Sequence, residues 1–84
     1  MLHLIATSNQ LAQLLAASRR QAGLTQAEAA ARIGVSQSRI SALETDASAL
    51  TLVQLLALCG AYGLQLQVLD KHQPVAEPAP IVEW

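Results

Sequence analysis

The sequence predicts a mainly α fold, a bundle of about four helices followed by one C-terminal strand that pairs across a homodimer. Three observations carry this expectation. The 84-residue chain is 52% hydrophobic yet holds one Trp, one Tyr and no Phe, so its core must be assembled from Leu, Ile, Val and Ala, which suits packed helices better than a sandwich. Ser/Thr residues followed three positions later by Glu or Gln stand before runs of helical periodicity. One late segment, "LQLQVLD", alternates Leu64, Leu66 and Val68 with Gln65 and Gln67, the period of a half-buried strand. A chain this short buries a smaller share of its surface than a larger domain does, so a single domain helped by a partner is expected. Residues 1–70 make up that domain, and residues 71–84, with three prolines in "PVAEPAP", read as a flexible C-terminal tail.

In chain order, "LHLIA" is a short apolar opening and a candidate small strand. Thr7 with Gln10 forms a capping box, and Leu11, Leu14, Leu15 and Ala22 continue at helical spacing to a stop near Gly23. Thr25 with Glu28 repeats the box for a second helix that runs to about Ile33. Gly34 stands where a helix ends in a left-handed turn, and Ser36 caps a third helix through about Glu44. "ETDASA" is polar and small, a loop. From Leu50, the residues Leu52, Val53, Leu55, Leu56 and Cys59 make a broad apolar face, with Gly60 and Gly63 as the stop. The strand "LQLQVLD" follows. One strand alone leaves its backbone groups unpaired, so the same strand of a second copy is the expected partner, through Leu64, Leu66 and Val68, with "LHLIA" a local alternative.

Several function classes are disfavoured. A single cysteine precludes an internal disulfide, and the first ten residues lack the positive start and apolar run of a secretory signal. No stretch approaches the roughly 18 apolar residues of a membrane span. A soluble, cytoplasmic protein with no membrane partner is expected. Neither His3 nor His72 has a cysteine or carboxylate at metal-ligand spacing, the serines lack an adjacent base, and Cys59 lies on an apolar face. No catalytic residue, metal or cofactor is assigned.

The stretch "LTQAEAAARIGVSQSRISALE" carries the functional reading. Two helices that cross closely need a very small residue on the first and branched or long apolar residues on the second; Ala30 supplies the one, Ile40 and Leu43 the other, with Gly34 at the turn and Val35 pointing inward. Ala29 departs from the pattern, because a larger apolar residue is commoner there. Exposed on the third helix are Ser36, Gln37, Ser38, Arg39 and Ser41. The Gln37 amide can both donate and accept against an adenine edge. Ser38 and Ser41 can touch bases or phosphates, Arg39 suits a phosphate, and Gln26 opens the second helix where free backbone amides meet a phosphate. Net charge is −1, which alone argues against DNA, but the charge is uneven. From Asn9 to Glu44, Arg19, Arg20, Arg32 and Arg39 face Glu28 and Glu44, a balance of +2; beyond, Lys71 faces Asp46, Asp70, Glu77 and Glu83, a balance of −3. A modest positive patch on a neutral body suits a binder that relies on dimerisation and base contacts.

The same stretch resembles the Xre/Cro type of helix-turn-helix. With the fourth helix "LTLVQLLALCGAYG", the strand "LQLQVLD" and a tail ending in "VEW", nearly the whole chain is similar to the HipB antitoxins, partners of the HipA protein kinases. That resemblance implies a homodimer whose two strands pair into a small lid, which binds palindromic operator DNA upstream of its own operon and neutralises a HipA-like serine/threonine kinase toxin. Ser36, Gln37, Ser38 and Ser41 match the family's DNA-contacting segment, with Ser36 standing where a basic residue can occur. Trp84 matches a tail implicated in antitoxin turnover or toxin contact. A repressor of the same superfamily without a toxin, and an interaction module that has lost DNA binding, remain alternatives.

Overall fold

The structure is a computed structural model that describes residues 2–71. Four α-helices follow one another: α1 (Ser8–Gln21), α2 (Gln26–Ile33), α3 (Gln37–Thr45) and, after a 3-10 turn at Ala47–Ala49, α4 (Leu52–Tyr62). Each start is chemically marked. The Thr7 and Thr25 hydroxyls accept from the backbone N–H of Gln10 and Glu28, and the side chains of those residues accept in return from the cap amides. Orphan donors at both helix starts are thereby satisfied. Those hydrogen bonds from Thr25 hold the Glu28 carboxyl below the ordinary carboxylate range. Ser36 caps α3 by accepting from the Arg39 amide.

A third capping box, Thr51 with Gln54, opens α4. The helix starts at Leu52 and not at the Leu50 where its apolar face was expected to begin, and apolar neighbours on both sides hide the Thr51 cap in the sequence. The segment read as a loop after Glu44 contains the 3-10 turn, closed where the Asp46 carboxylate accepts from the Ser48 amide.

Two stops deserve separate treatment. Gly34 (φ 73°) and Gly63 (φ 72°) end α2 and α4 in the left-handed region, where a Cβ is strained. Gly60, expected to share the stop with Gly63, lies inside α4 instead. A single glycine costs a helix only about 1 kcal/mol, too little to break one that packs on a core.

The core joins all four helices. Leu15 of α1, Ala29 and Ala30 of α2, Ile40 of α3, and Leu58 and Tyr62 of α4 are buried together with Leu24, and Val35 packs against them. Ala29 and Ala30 are both almost fully enclosed, so the small residues let α2 and α3 approach closely. Cys59 is buried, and burial pushes its thiol up from the usual range, which keeps it protonated and inert.

Two expected apolar faces differ. Ala22 is the exposed C-cap residue of α1, not part of its buried stripe. On α4 the buried residues are Leu58, Cys59 and Tyr62, while Leu52, Val53 and Leu56 are 63%, 78% and 51% exposed. Spacing identifies a wide apolar surface but not which part of it the chain can cover by itself.

Among the described residues there is no strand: residues 64–70 and 2–6 carry no regular secondary structure. Leu64 folds back on the core, and its N–H donates to the Cys59 carbonyl. Leu66 and Val68 are exposed, at 47% and 92%. A strand needs a hydrogen-bonding neighbour, and among the described residues no backbone pairing of Leu66 or Val68 occurs. No helix among the described residues is long and apolar enough to cross a membrane, and no group of three or more metal-ligating side chains occurs there. Trp84 and the tail beyond Lys71 lie outside the described residues.

Candidate nucleic-acid interface

The α2–turn–α3 unit presents a polar face whose two ends are held differently. At its far end Glu44 is the centre of a network. Arg19 Nε donates to Glu44 Oε2 (2.7 Å) and Nη2 to Oε1 (3.1 Å), while Arg19 Nη1 donates to the Leu24 carbonyl (2.9 Å). Gln26 Nε2 also donates to Glu44 Oε1 (3.2 Å). The paired side chains are 11% and 9% exposed, and the hydrogen bond to Glu44 raises the Arg19 guanidinium above its ordinary range despite burial. One carboxylate therefore ties α3 to α1 and to the first residue of α2.

The near end of α3 faces outward. Gln37, Ser38 and Ser41 are exposed. Ser36 Oγ caps the helix and lies 3.1 Å from Ser38 Oγ. Among the described residues, the Gln37 and Ser41 side chains take no part in a hydrogen bond, so their donors and acceptors are available to another molecule. The first amides of α2, at Gln26 and Ala27, have no intrahelical partner.

Arg39 is placed differently from its exposed neighbours. It is half-buried, and its Nη2 donates both to the Ala49 carbonyl (2.9 Å) and to Gln54 Oε1 (3.0 Å). Arg19, counted in the sequence as part of a positive patch, is neutralised by Glu44. The positive charge of this half that no ion pair neutralises thus falls to Arg20 and Arg32, both exposed, and to Arg39, whose partners are neutral. Neither the Arg19–Glu44 pair nor the Arg39–Gln54 contact was anticipated; a separation of 25 residues in the first leaves no periodic signal.

A helix-turn-helix domain family model matches residues 10–71. Among solved structures, the chain is similar to a HipB variant in complex with an O2 20mer (31% identity over 84% of this chain and 99% of that chain, TM-score 0.75). It is also similar to HipB in the HipA–HipB–O2–O3 complex (30% identity, 83% and 99% coverage, TM-score 0.74). This chain belongs to the HipB family of helix-turn-helix proteins. A restriction-modification controller protein, at 19% identity over 69% of the chain and TM-score 0.65, shares the fold alone with this HipB-family chain. Curated protein sequences give no match.

The HipB-family assignment fits the site as built. It accounts for an outward polar segment at the start of α3, Ser36 to Ser41, carried on a helix whose inner side chains Ile40 and Leu43 are each 1% exposed.

Proposed function

We propose that this chain is a cytoplasmic antitoxin and transcriptional autorepressor, which binds palindromic operator DNA as a homodimer and binds and neutralises a HipA-like serine/threonine kinase toxin. The observation that carries the proposal is the start of α3. The side chains of its exposed Gln37 and Ser41 make no hydrogen bond among the described residues, on a chain about 30% identical to proteins solved as HipB–operator and HipA–HipB complexes.

In this reading Gln37 reads an adenine edge through its amide. Ser36, Ser38 and Ser41 contact bases or phosphates, and Gln26, oriented by Glu44, sets a phosphate against the free amides of α2. The second copy covers Leu66 and Val68 by strand pairing and meets the apolar turn of α4 around Leu52, Val53 and Leu56. Exposed apolar area of this kind marks an interaction surface. The tail from residue 71, with Trp84 at its end, is assigned to toxin contact or turnover.

The test is an anisotropy titration on the DNA upstream of the chain's own gene at two salt concentrations. Specific binding should weaken with salt, with a log–log slope of about −0.9 per phosphate neutralised. Leu66→Asp should run as a monomer in sedimentation at low micromolar concentration and bind that DNA at least about tenfold more weakly, because a charge on the paired face opposes association. A Leu66→Asp protein of unchanged mass would refute the shared sheet, and a wild type without specific binding, alone or with the kinase, would refute operator reading.

A further inference from the structure

We infer that Arg39 is a positioning residue: with Gln54 it latches the DNA-facing helix α3 to the first turn of α4. The inference rests on the proposed function for its consequence and on this structure for its geometry.

Helix α3 is held at two points along its polar side. Glu44 pins its end to α1 and α2, as described above. Arg39, two positions beyond Gln37, pins its beginning, because a single nitrogen donates to the Ala49 carbonyl at the end of the 3-10 turn and to Gln54 Oε1 in α4. Among the described residues this is the one side-chain hydrogen bond between α3 and α4. Between the two pins, Ile40 and Leu43 fill the core. The orientation of Gln37 and Ser41 is therefore fixed by both ends, and a side chain that recognises a base edge gains from such support.

Gln54 is a shared part. Its Oε1 also accepts from the Thr51 amide (3.4 Å), and its own amide donates to Thr51 Oγ1 (3.1 Å). The same side chain closes the cap of α4 and receives Arg39. Leu52 and Val53, in this turn of α4, are exposed apolar residues on the surface assigned to the second copy.

The experiment uses the full chain and compares Arg39→Met, Gln54→Ala, their double variant, Gln54→Glu and Thr51→Ala. Two readouts are taken: amide hydrogen exchange along α3 without DNA, and operator affinity as a function of salt. Gln54→Ala, which removes one charge-assisted hydrogen bond of Arg39, should raise exchange in α3 about tenfold, and Arg39→Met, which removes both, at least as much. Each should weaken operator binding by about the same factor, with the double variant no worse than Arg39→Met alone. The salt slope should stay at the wild-type value. Gln54→Glu keeps an acceptor for both partners and should behave as wild type; Thr51→Ala removes the cap but not the latch and should leave α3 exchange unchanged.

The opposite pattern overturns the latch. If Arg39 acted only on phosphate, Arg39→Met would make the slope less negative by about 1.8 for the two copies of a dimer, with Gln54→Ala indistinguishable from wild type in both readouts. Should the wild type itself fail on operator DNA, the proposed function falls, and α3 exchange in the DNA-free variants decides the latch by itself.

Discussion

Glu44→Ala is expected to lower the free energy of unfolding by about 2–3 kcal/mol, a large share of what a domain of this size possesses. The reason is what the substitution leaves behind. Arg19 makes two hydrogen bonds to Glu44 and one to the Leu24 carbonyl, with only 11% of its side chain exposed. Without the carboxylate a guanidinium stays in a poorly solvated place with one neutral acceptor, and Gln26 loses its partner as well. An uncompensated charge costs more than the ion pair itself contributes. For that reason the double variant Arg19→Met/Glu44→Met should cost less than the sum of the two single variants.

The measurement is a urea titration, in which the midpoint should fall with little change in slope. The pH dependence is also set. The hydrogen bond to Glu44 raises the Arg19 guanidinium above its ordinary value in the folded chain, so its share of the stability is fully present below the unfolded value and is lost only as pH rises through the still higher folded one. Ordinary alkaline conditions should leave it intact. Equal midpoints for wild type and Glu44→Ala would show that the bridge holds nothing together.

Gln37→Ala is expected to weaken specific operator binding by at least about 30-fold. A well-placed amide on a base edge is worth roughly 1–3 kcal/mol, and a dimer loses two of them. The Gln37 side chain is exposed and makes no hydrogen bond among the described residues, so folding stability should change by no more than about 0.5 kcal/mol. The side chain is neutral, so the salt slope should not move. Anisotropy on operator and on scrambled DNA separates the two effects: binding to scrambled DNA should be unaltered. Equal loss on both duplexes would mean that Gln37 positions the protein without reading sequence.

Much of this fold was legible because its signals are local. The boxes at Thr7 and Thr25, the Ser36 cap and the Gly34 turn each act within three or four residues, so their spacing states their geometry. The helix-turn-helix core was legible for the same reason, since Ala30, Ile40 and Leu43 sit at fixed offsets from that turn. What escaped depends on distance or on another molecule. The Arg19–Glu44 bridge and the Arg39–Gln54 contact join residues 25 and 15 positions apart, for which no periodicity exists. The face of α4 was identified as apolar, but Leu52, Val53 and Leu56 are uncovered by this chain, and only the three-dimensional packing separates them from Leu58 and Tyr62. Alternation in "LQLQVLD" reports a preference for pairing that no backbone hydrogen bond of Leu66 or Val68 among the described residues meets. Of the candidate site, the exposure of Gln37, Ser38 and Ser41 was readable; the contacts of Arg39 were not, because its partners come from the 3-10 turn and α4.

The central claim, that a dimer of this chain reads operator DNA with α3, is tested most directly by a hydroxyl-radical footprint of the wild type on the DNA upstream of its gene. The account predicts two protected patches related by a two-fold axis, with centres about one helical turn, roughly 34 Å, apart, both lost with Gln37→Ala at the same protein concentration. Uniform protection without a two-fold pattern, or a footprint that Gln37→Ala leaves unchanged, would contradict it.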